Sequence, residues 1–216
     1  TGPFDGERRC AVELGAGLGL PSIVAGALGF RVVATDGDAS ALELLQRNLD
    51  RNGLRGRARA AQLAWGHPDP AAAAGLGSPP DLILASDVVY GNDPAKWRAL
   101  VHTMASLAGP GTLIALANMQ RYPIHHPLSE AVFLTEALGP GFHMARLPTD
   151  ELHPEYRRAG AGSCAVFLLR RKDGASPRPA LPEPRAGDCP AQPRKRRRGG
   201  RAHTVVACGS AASVAG

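Results

Sequence analysis

The chain has 216 residues, enough for one sizeable core, and its formal net charge is +6. Residues 170–216 hold eleven basic and three acidic residues, whereas residues 1–169 hold fourteen basic and sixteen acidic ones. The charge balance of residues 1–169 therefore does not predict a nucleic-acid-binding surface there. No apolar stretch in the sequence is long enough to span a bilayer.

Short apolar runs that predict strands alternate with segments of helical periodicity. The predicted strands are Cys10–Leu14, Arg31–Thr35, Arg57–Leu63, Leu82–Ser86, Thr112–Ala117, Phe142–Leu147 and Cys164–Leu169. The predicted helices are Leu20–Leu28, Ala39–Asn52, Pro94–Ala108 and Leu128–Leu138. This alternation predicts an α/β fold, a doubly wound and mostly parallel seven-stranded sheet that ends in an antiparallel C-terminal hairpin.

Residue types at the predicted helix ends agree with these boundaries. Asp93-Pro94 predicts an N-cap followed by proline at the first helical position. Glycines typical of left-handed C-terminal caps follow each helix, at Gly29, Gly53, Gly109 and Gly139. An apolar stripe predicts that the third helix packs on the core, through Trp97, Leu100, Val101, Met104 and Leu107.

The composition changes after Lys172. Asp173–Gly216 is rich in Pro, Gly, Ala and Arg and has few large apolar residues, which predicts a disordered basic tail. Within it, RKRRR at 194–198 is either a solvated basic run or a nuclear-import or nucleic-acid patch.

Four cysteines lie far apart and form no C-x-x-C pair, so the sequence predicts neither a zinc site nor a disulfide framework. They are Cys10, Cys164, Cys189 and Cys208. We expect a reducing compartment, the cytoplasm or the nucleus, with no signal peptide and no membrane partner.

The stretch AVELGAGLGL, residues 11–20, places three glycines on alternate positions directly after the first predicted strand. Such a loop in an open α/β sheet predicts a ligand site. A P-loop is excluded because Leu20-Pro21 stands where that motif needs Lys followed by Ser or Thr. The dinucleotide motif G-x-G-x-x-G fails on spacing, and Glu13 would repel a nearby pyrophosphate.

A carboxylate suits a ligand that carries a positive amino group and no phosphate. The segment E-L-G-A-G-L-G resembles the glycine-rich motif of class I S-adenosylmethionine-dependent methyltransferases, and Asp36 ends the second predicted strand. The resemblance implies a Rossmann-like fold that binds S-adenosylmethionine, with Asp36 hydrogen-bonded to both ribose hydroxyls. The other residues that it implies in cofactor binding here are Glu13, Gly15, Ala16 and Gly17.

Three further segments narrow the resemblance: NLDRNG in the second helix, LAWG after the third strand and DLILASDVVY over the fourth. Together they resemble the family-16 methyltransferases, the seven-stranded protein-lysine methyltransferase group with a D-x-x-Y motif, over roughly Arg8–Lys172. The resemblance implies that Trp65 contacts the adenine, although Trp65 could instead belong to the core. It also places Ser86, where the family usually has alanine, near the cofactor.

The resemblance defines one methyltransferase domain, residues 1–172, followed by the tail at 173–216. Members of the family usually have several dozen residues before the glycine-rich strand, including a tryptophan that helps to cover the cofactor. This chain begins nine residues before Cys10, so we expect part of the cofactor lid and of the substrate channel to be missing.

Methyl transfer from a sulfonium requires a neutral amine held against the methyl group in a site that excludes water. Desolvation lowers the pKa of a lysine, so no strong general base is needed. The predicted catalytic residues, Asp87 and Tyr90, follow the fourth strand. Asp87 would accept a hydrogen bond from the amine or hold its loop, and Tyr90 would line the lysine channel. The structural alternatives are a local turn cap for Asp87 and a partly buried aromatic residue for Tyr90.

Histidines elsewhere give weaker signals. His125-His126 does not predict a metal site, because adjacent side chains point apart and no third ligand stands at metal spacing. His153 and Tyr156, between the last two strands, either shape the mouth of the substrate site or lie in an exposed loop.

The sequence as a whole favours a monomeric S-adenosylmethionine-dependent N-methyltransferase that acts on a lysine side chain of a protein, without a specific nucleic-acid partner. Three alternatives stay open on these residues. The first is transfer to a histidine, an arginine or a small amine, and the second is a non-catalytic protein that only binds the cofactor. The third is a dehydrogenase.

Overall fold

The computed structural model describes residues 9–89, 93–122, 126–127, 129–157 and 163–172. All of them belong to the first of the two units into which the chain divides, Thr1–Ala180. The second unit, Leu181–Gly216, lies outside the described residues, and so does the predicted tail from Asp173 onward. No helix in the described part is long and apolar enough to cross a membrane.

Seven strands form a single sheet. They are β1 (Cys10–Leu14), β2 (Arg31–Asp36), β3 (Ala58–Gln62), β4 (Leu82–Ser86), β5 (Leu113–Met119), β6 (Phe142–Arg146) and β7 (Cys164–Arg171). Their order is β3-β2-β1-β4-β5-β7-β6. Neighbouring strands pair in parallel except β7, which runs antiparallel to both β5 and β6. The predicted mostly parallel seven-stranded sheet with an antiparallel C-terminal hairpin is therefore confirmed.

In the described part of the chain, five α-helices lie between the strands, and two 3₁₀ turns, Thr149–Glu151 and Pro154–Tyr156, lie between β6 and β7. The α-helices are α1 (Leu20–Ala27), α2 (Ala39–Arg51), α3 (Pro70–Ala73), α4 (Pro94–Leu107) and α5 (Glu130–Val132), and α5 continues as a π-helical turn, Phe133–Leu138. The short α3 was not predicted. The left-handed cap is confirmed at Gly29 and Gly53. It is wrong at Gly139, where φ is −50° because the chain leaves the π-helical turn in right-handed geometry.

Gly109 also lacks the predicted left-handed conformation, because its φ is not positive. Its N–H donates to Oγ1 of Thr112 at 2.9 Å, and that hydroxyl donates in turn to the carbonyl of Pro80. A buried side chain therefore shapes this turn where a glycine cap was expected.

The central strands are continuous buried runs whose successive side chains point to opposite faces, so a core forms on each face of the sheet. Val32 and Ala34 of β2 pack with Leu45 and Leu49 of α2 on one face. On the other face, the predicted apolar stripe of the third helix, which is α4, packs with β4, β5 and the π-helical turn. Trp97 of this stripe contacts the Phe133 ring edge-on, with 5.7 Å between the ring centroids. Helices on both faces confirm the doubly wound arrangement.

Candidate functional site

The loop after β1 contains the three alternate glycines, and all three have positive φ, between 51° and 82°. It is tied to β2 because the Ala16 N–H donates to the carbonyl of Thr35 at 2.8 Å. A Cβ on Gly19 would overlap Cδ1 of Leu45, so α2 packs closely there. A Cβ on Gly17 would meet nothing within 4 Å, so the loop is open to a ligand at that residue.

Asp36 ends β2 beside this loop and is half-buried. One carboxylate oxygen accepts a hydrogen bond from the Gly17 N–H at 2.9 Å, and the other accepts one from the Asp38 N–H at 3.0 Å. A carboxylate oxygen can accept two hydrogen bonds, so each oxygen of Asp36 retains capacity for one more donor. Two adjacent acceptors beside the open Gly17 suit a ligand with two neighbouring hydroxyls.

Glu13, which the resemblance places among the cofactor-binding residues, is only 1% exposed. Its Oε2 accepts hydrogen bonds from the N–H and the hydroxyl of Ser22, at 3.0 and 2.5 Å. Burial raises the pKa of Glu13 to about 7, even though both hydrogen bonds from Ser22 favour the charged carboxylate. These contacts join β1 to α1, and contact between Glu13 and a cofactor stays a prediction.

Trp65 follows β3, and its half-buried ring reaches the glycine loop. A Cβ on Gly15 would lie 3.2 Å from Cζ2 of Trp65 and 3.0 Å from Cγ1 of Val88, which follows β4. Because Gly15 has no side chain, Trp65 after β3 and Val88 after β4 can both lie close to the loop. Ser86, the last residue of β4, is exposed at the same edge. The roles of Trp65 and Ser86 toward a cofactor stay predictions.

Asp87 lies just beyond β4 in an unusual backbone conformation. Its φ is 57°, and it is the one non-glycine residue with positive φ in the described part of the chain. Its N–H donates to the carbonyl of Ala117 on β5 at 2.7 Å. Nη1 and Nη2 of Arg121 donate to its two carboxylate oxygens, each at 2.6 Å, and these hydrogen bonds lower the pKa of Asp87. Its carboxylate is thus bound by a cation that the sequence did not predict.

A second residue of β5 holds the same segment. Asn118 is 2% exposed, and its side-chain amide accepts from the Val89 N–H at 3.3 Å and donates to the Val89 carbonyl at 3.4 Å. The residues after β4 are therefore fixed at both Asp87 and Val89. Tyr90 lies outside the described residues, so its predicted place in a lysine channel stays a prediction.

Glu130 brings a further carboxylate to this region. Its Oε1 is buried and has no hydrogen-bond partner among the described residues, and burial raises the pKa of Glu130 to about 6. The positive charges of Arg146 and Arg121 act in the opposite direction. Burial likewise raises the pKa of the Cys164 thiol, with smaller effects from the charges of Glu130 and Asp87. The ends of β4 and β5 and the starts of β7 and α5 therefore share one electrostatic environment.

The remaining candidates are three histidines and a tyrosine. His125 is outside the described residues, and the ring of His126 stacks on Tyr122 at 4.5 Å. His153 and Tyr156 are exposed and contact one another edge-on at 6.3 Å. Where the structure describes the chain, no three His, Cys, Asp or Glu side chains are placed to hold a metal ion.

The predicted residues of the first four strands meet at one edge, as the rule for carboxyl ends of parallel strands requires. Sequence reasoning missed Asn118, Arg121 and Glu130. The signal for the first two was their position at the end of β5, which ends at the same edge. Glu130 carried no such signal, because it follows a loop and reaches the site only through tertiary packing.

Comparison with known proteins identifies the family. A family model described as lysine methyltransferase matches residues 2–137. The chain belongs to this family. It is 34% identical over 161 residues to the protein N-lysine methyltransferase METTL21A of Danio rerio, covering 73% of this chain and 66% of that protein. It is also 34% identical over 141 residues to the EEF1A lysine methyltransferase 3 of Mus musculus, covering 65% of this chain and 56% of the relative.

More distant solved structures share the fold of this chain. The glycopeptide N-methyltransferase MtfA, in complex with S-adenosyl-L-methionine, matches with a TM-score of 0.56 at 18% identity, over 79% of this chain and 89% of that one. A TehB-like methyltransferase from Corynebacterium glutamicum matches with a TM-score of 0.55 at 14% identity, over 77% and 83%. These likenesses concern the fold. The chain spans between about half and two thirds of the curated relatives it matches.

Proposed function

We propose that this chain is an S-adenosylmethionine-dependent N-methyltransferase that acts on a lysine side chain of a protein. The observation that carries the proposal is the meeting of an open glycine loop, hydrogen-bonded to Asp36, with the Asp87 carboxylate at one edge of the sheet. The family match and the lysine methyltransferase names of the relatives support lysine as the acceptor.

The residues at this edge fit S-adenosylmethionine. Each oxygen of Asp36 can accept one more hydrogen bond, which suits the two hydroxyls of a ribose. The open backbone at Gly17 allows close approach of the methionine part, and Trp65 lies beside Gly15 at the end of β3, where an adenine would contact its ring. These features suit a nucleoside that carries no phosphate, since the loop lacks the lysine of a phosphate-binding motif.

When bound, S-adenosylmethionine supplies a methyl group on a positively charged sulfur. The acceptor amine would use its lone pair for the new N–C bond in exchange for the S–C bond, whose electrons would remain with the departing neutral thioether. The methylated amine would release its extra proton once it returns to solvent. The chain's own task is to hold a neutral amine in line and to exclude water. We expect Asp87 to serve this task, and its half-exposed carboxylate at the edge where the glycine loop opens supports that role.

Other parts of the proposal rest on the sequence. We expect a monomer that acts in the cytoplasm or the nucleus, without a membrane or a specific nucleic-acid partner. The near-neutral charge balance of residues 1–169 supports the last of these expectations. Transfer to a histidine, an arginine or a small amine is the second candidate, because the contacts of Asp87 do not distinguish among nitrogen acceptors.

The experiment is transfer of a tritiated methyl group from S-adenosylmethionine to the proteins of a cell lysate by the full chain, followed by mass-spectrometric mapping. We expect label on lysine side chains. Label confined to histidine, arginine or small molecules would replace lysine with the second candidate. Cofactor binding without any transfer would favour the non-catalytic alternative.

A further inference from the structure

The ends of β4 and β5 are joined by an ion pair with fixed geometry. Arg121 follows β5, and its planar guanidinium donates to both oxygens of Asp87, each at 2.6 Å. A two-point contact of this kind fixes the direction of the carboxylate as well as its distance. Both side chains are partly exposed, at 37% for Arg121 and 49% for Asp87, so the pair lies at the surface of the site.

The backbone at Asp87 indicates that this arrangement is held in place. A φ of 57° is unfavourable for a residue with a side chain, and it persists where surrounding contacts stabilise it. Those contacts come from β5: the carbonyl of Ala117 accepts from the Asp87 N–H, and the side chain of Asn118 binds the backbone of Val89. Arg121 completes the set by holding the side chain.

We propose that Arg121 is a positioning residue for methyl transfer: its guanidinium fixes the direction of the Asp87 carboxylate and offsets its charge where the acceptor amine enters. This inference rests on the proposed function, since it concerns the amine that the reaction consumes. Neither the D-x-x-Y motif nor the glycine loop contains Arg121.

The protonation state of the acceptor amine explains why the Asp87 carboxylate would need a paired guanidinium. An unpaired carboxylate beside a lysine stabilises the ammonium ion, which has no lone pair and cannot attack a methyl group. A carboxylate already bound to a guanidinium still accepts a hydrogen bond from a neutral amine, but it attracts an ammonium ion less. The pair therefore orients the acceptor without holding it in its unreactive form.

Other charged and titratable groups interact with the pair from neighbouring elements. In the described part of the chain, Tyr122 after β5 and Glu130 on α5 act on Arg121, and Cys164 on β7 interacts with Asp87. Arg146 on β6 acts on Glu130. Glu130 is opposite in charge to Arg121 and interacts with it electrostatically, so it competes weakly with Asp87 for the same guanidinium. The two hydrogen bonds to Asp87 are the largest influence on Arg121, and they raise its pKa.

The first test needs no cofactor. In the full chain, the Asp87 carboxyl is titrated by carbon-detected NMR in the wild type, Arg121→Met and Arg121→Lys. We expect the Asp87 midpoint to rise in Arg121→Met and to rise less in Arg121→Lys. Arg55→Met is the matched control, because Arg55 binds Asp50 at 3.3 Å at another site, and it should leave Asp87 unchanged. An unmoved midpoint in Arg121→Met would overturn the proposal.

The second test is the pH profile of methyl transfer from tritiated S-adenosylmethionine to lysate proteins. In Arg121→Met we expect the rising limb to move by about 1 pH unit toward alkaline pH and turnover at pH 7 to fall about tenfold, with cofactor affinity within about threefold. A profile that matches the wild type would overturn the role of Arg121. If the wild type transfers no methyl group at any pH, the proposed function fails, and the Asp87 titration alone decides whether Arg121 controls that carboxylate.

Discussion

Glu13 on β1 and Ser22 on α1 are joined by two hydrogen bonds to one carboxylate oxygen, from the backbone N–H at 3.0 Å and from the hydroxyl at 2.5 Å. Both residues are buried, Glu13 at 1% and Ser22 at 0% exposure. The glycine loop connects these two residues along the chain, so their contact sets the distance that the loop must span.

This contact predicts a pH dependence of stability. Burial raises the pKa of Glu13 to about 7, so the folded protein binds the Glu13 proton more tightly than the unfolded chain does. The stability that comes from this proton is complete below about pH 4.5 and is lost as the pH rises through 7. The free energy of unfolding of Glu13→Gln minus that of the wild type should therefore increase by on the order of 2–3 kcal/mol between pH 4.5 and pH 8.

Urea unfolding at pH 4.5, 6 and 8 measures this difference in the free energy of unfolding. Glu43→Gln is the control, because Glu43 is an exposed glutamate on α2 and its replacement should leave the pH dependence unchanged. A constant difference between Glu13→Gln and the wild type would show that Glu13 has the same pKa in the folded and the unfolded protein, which would contradict the raised pKa.

Gly19 predicts a packing effect. It has a φ of 82°, and a Cβ there would overlap the fully buried Leu45. Gly19→Ala should lower the free energy of unfolding by about 2–4 kcal/mol, from overpacking and backbone strain together. Gly29→Ala separates the two causes, because Gly29 has a φ of 98° but nothing within 4 Å of its Cβ position. Equal losses in the two variants would mean that contact with Leu45 costs nothing.

The sequence predicted those parts of the fold that local patterns determine. Apolar runs such as Leu82–Ser86 gave the strands, and alternate glycines gave the loop at Gly15–Gly19. The π-helical turn after Val132 was expected as ordinary α-helix, since the wider turn has no periodicity of its own that a short sequence reveals.

The candidate site was predictable where one strand end carries a motif, and less so where two side chains must meet. Asp36 and Asp87 were predicted from the family resemblance together with their positions, at the end of β2 and just after β4. The pairing of Asp87 with Arg121 joins residues 34 positions apart, and many arginines in this sequence could have been the partner. Which arginine pairs with Asp87 depends on the register of β4 with β5, and composition does not determine that register.

Asp87→Asn should leave S-adenosylmethionine affinity within about threefold and reduce turnover roughly a hundredfold, the usual loss for one positioned polar group in a water-excluded site. The variant keeps the shape of the side chain and removes its charge. Calorimetry and single-turnover transfer measure the two quantities. Asp50→Asn is the control, since Asp50 also binds an arginine but lies outside the candidate site. Parallel loss of binding and turnover would make Asp87 a cofactor-binding or structural residue.

Tyr90→Phe and Tyr90→Ala test the predicted lysine channel. If the ring lines the channel, removal of the hydroxyl should reduce turnover less than removal of the ring, with cofactor affinity within about threefold in both. Steady-state transfer with saturating cofactor measures this order. The reverse order, with the larger loss in Tyr90→Phe, would assign the role to the hydroxyl.

Deletion of residues 173–216 should leave the melting temperature within about 2 °C, because a segment with so few large apolar residues adds little to a core. Differential scanning calorimetry of the shortened and full chains measures this change. A fall of many degrees would show that the segment packs on the domain.

Binding of S-adenosylmethionine at the edge formed by Gly17 and Asp36 is measured most directly by calorimetric titration of the full chain, the Asp36→Ala variant and an Asp50→Ala control. Asp50 pairs with Arg55 near the end of α2 and lies outside the candidate site, so its loss should leave cofactor affinity unchanged. We expect the wild type to bind and Asp36→Ala to bind about 10- to 100-fold more weakly, the usual effect of losing hydrogen bonds to a charged group. Equal affinity in the wild type and Asp36→Ala, or no binding by the wild type, would contradict the placement of the cofactor at this edge.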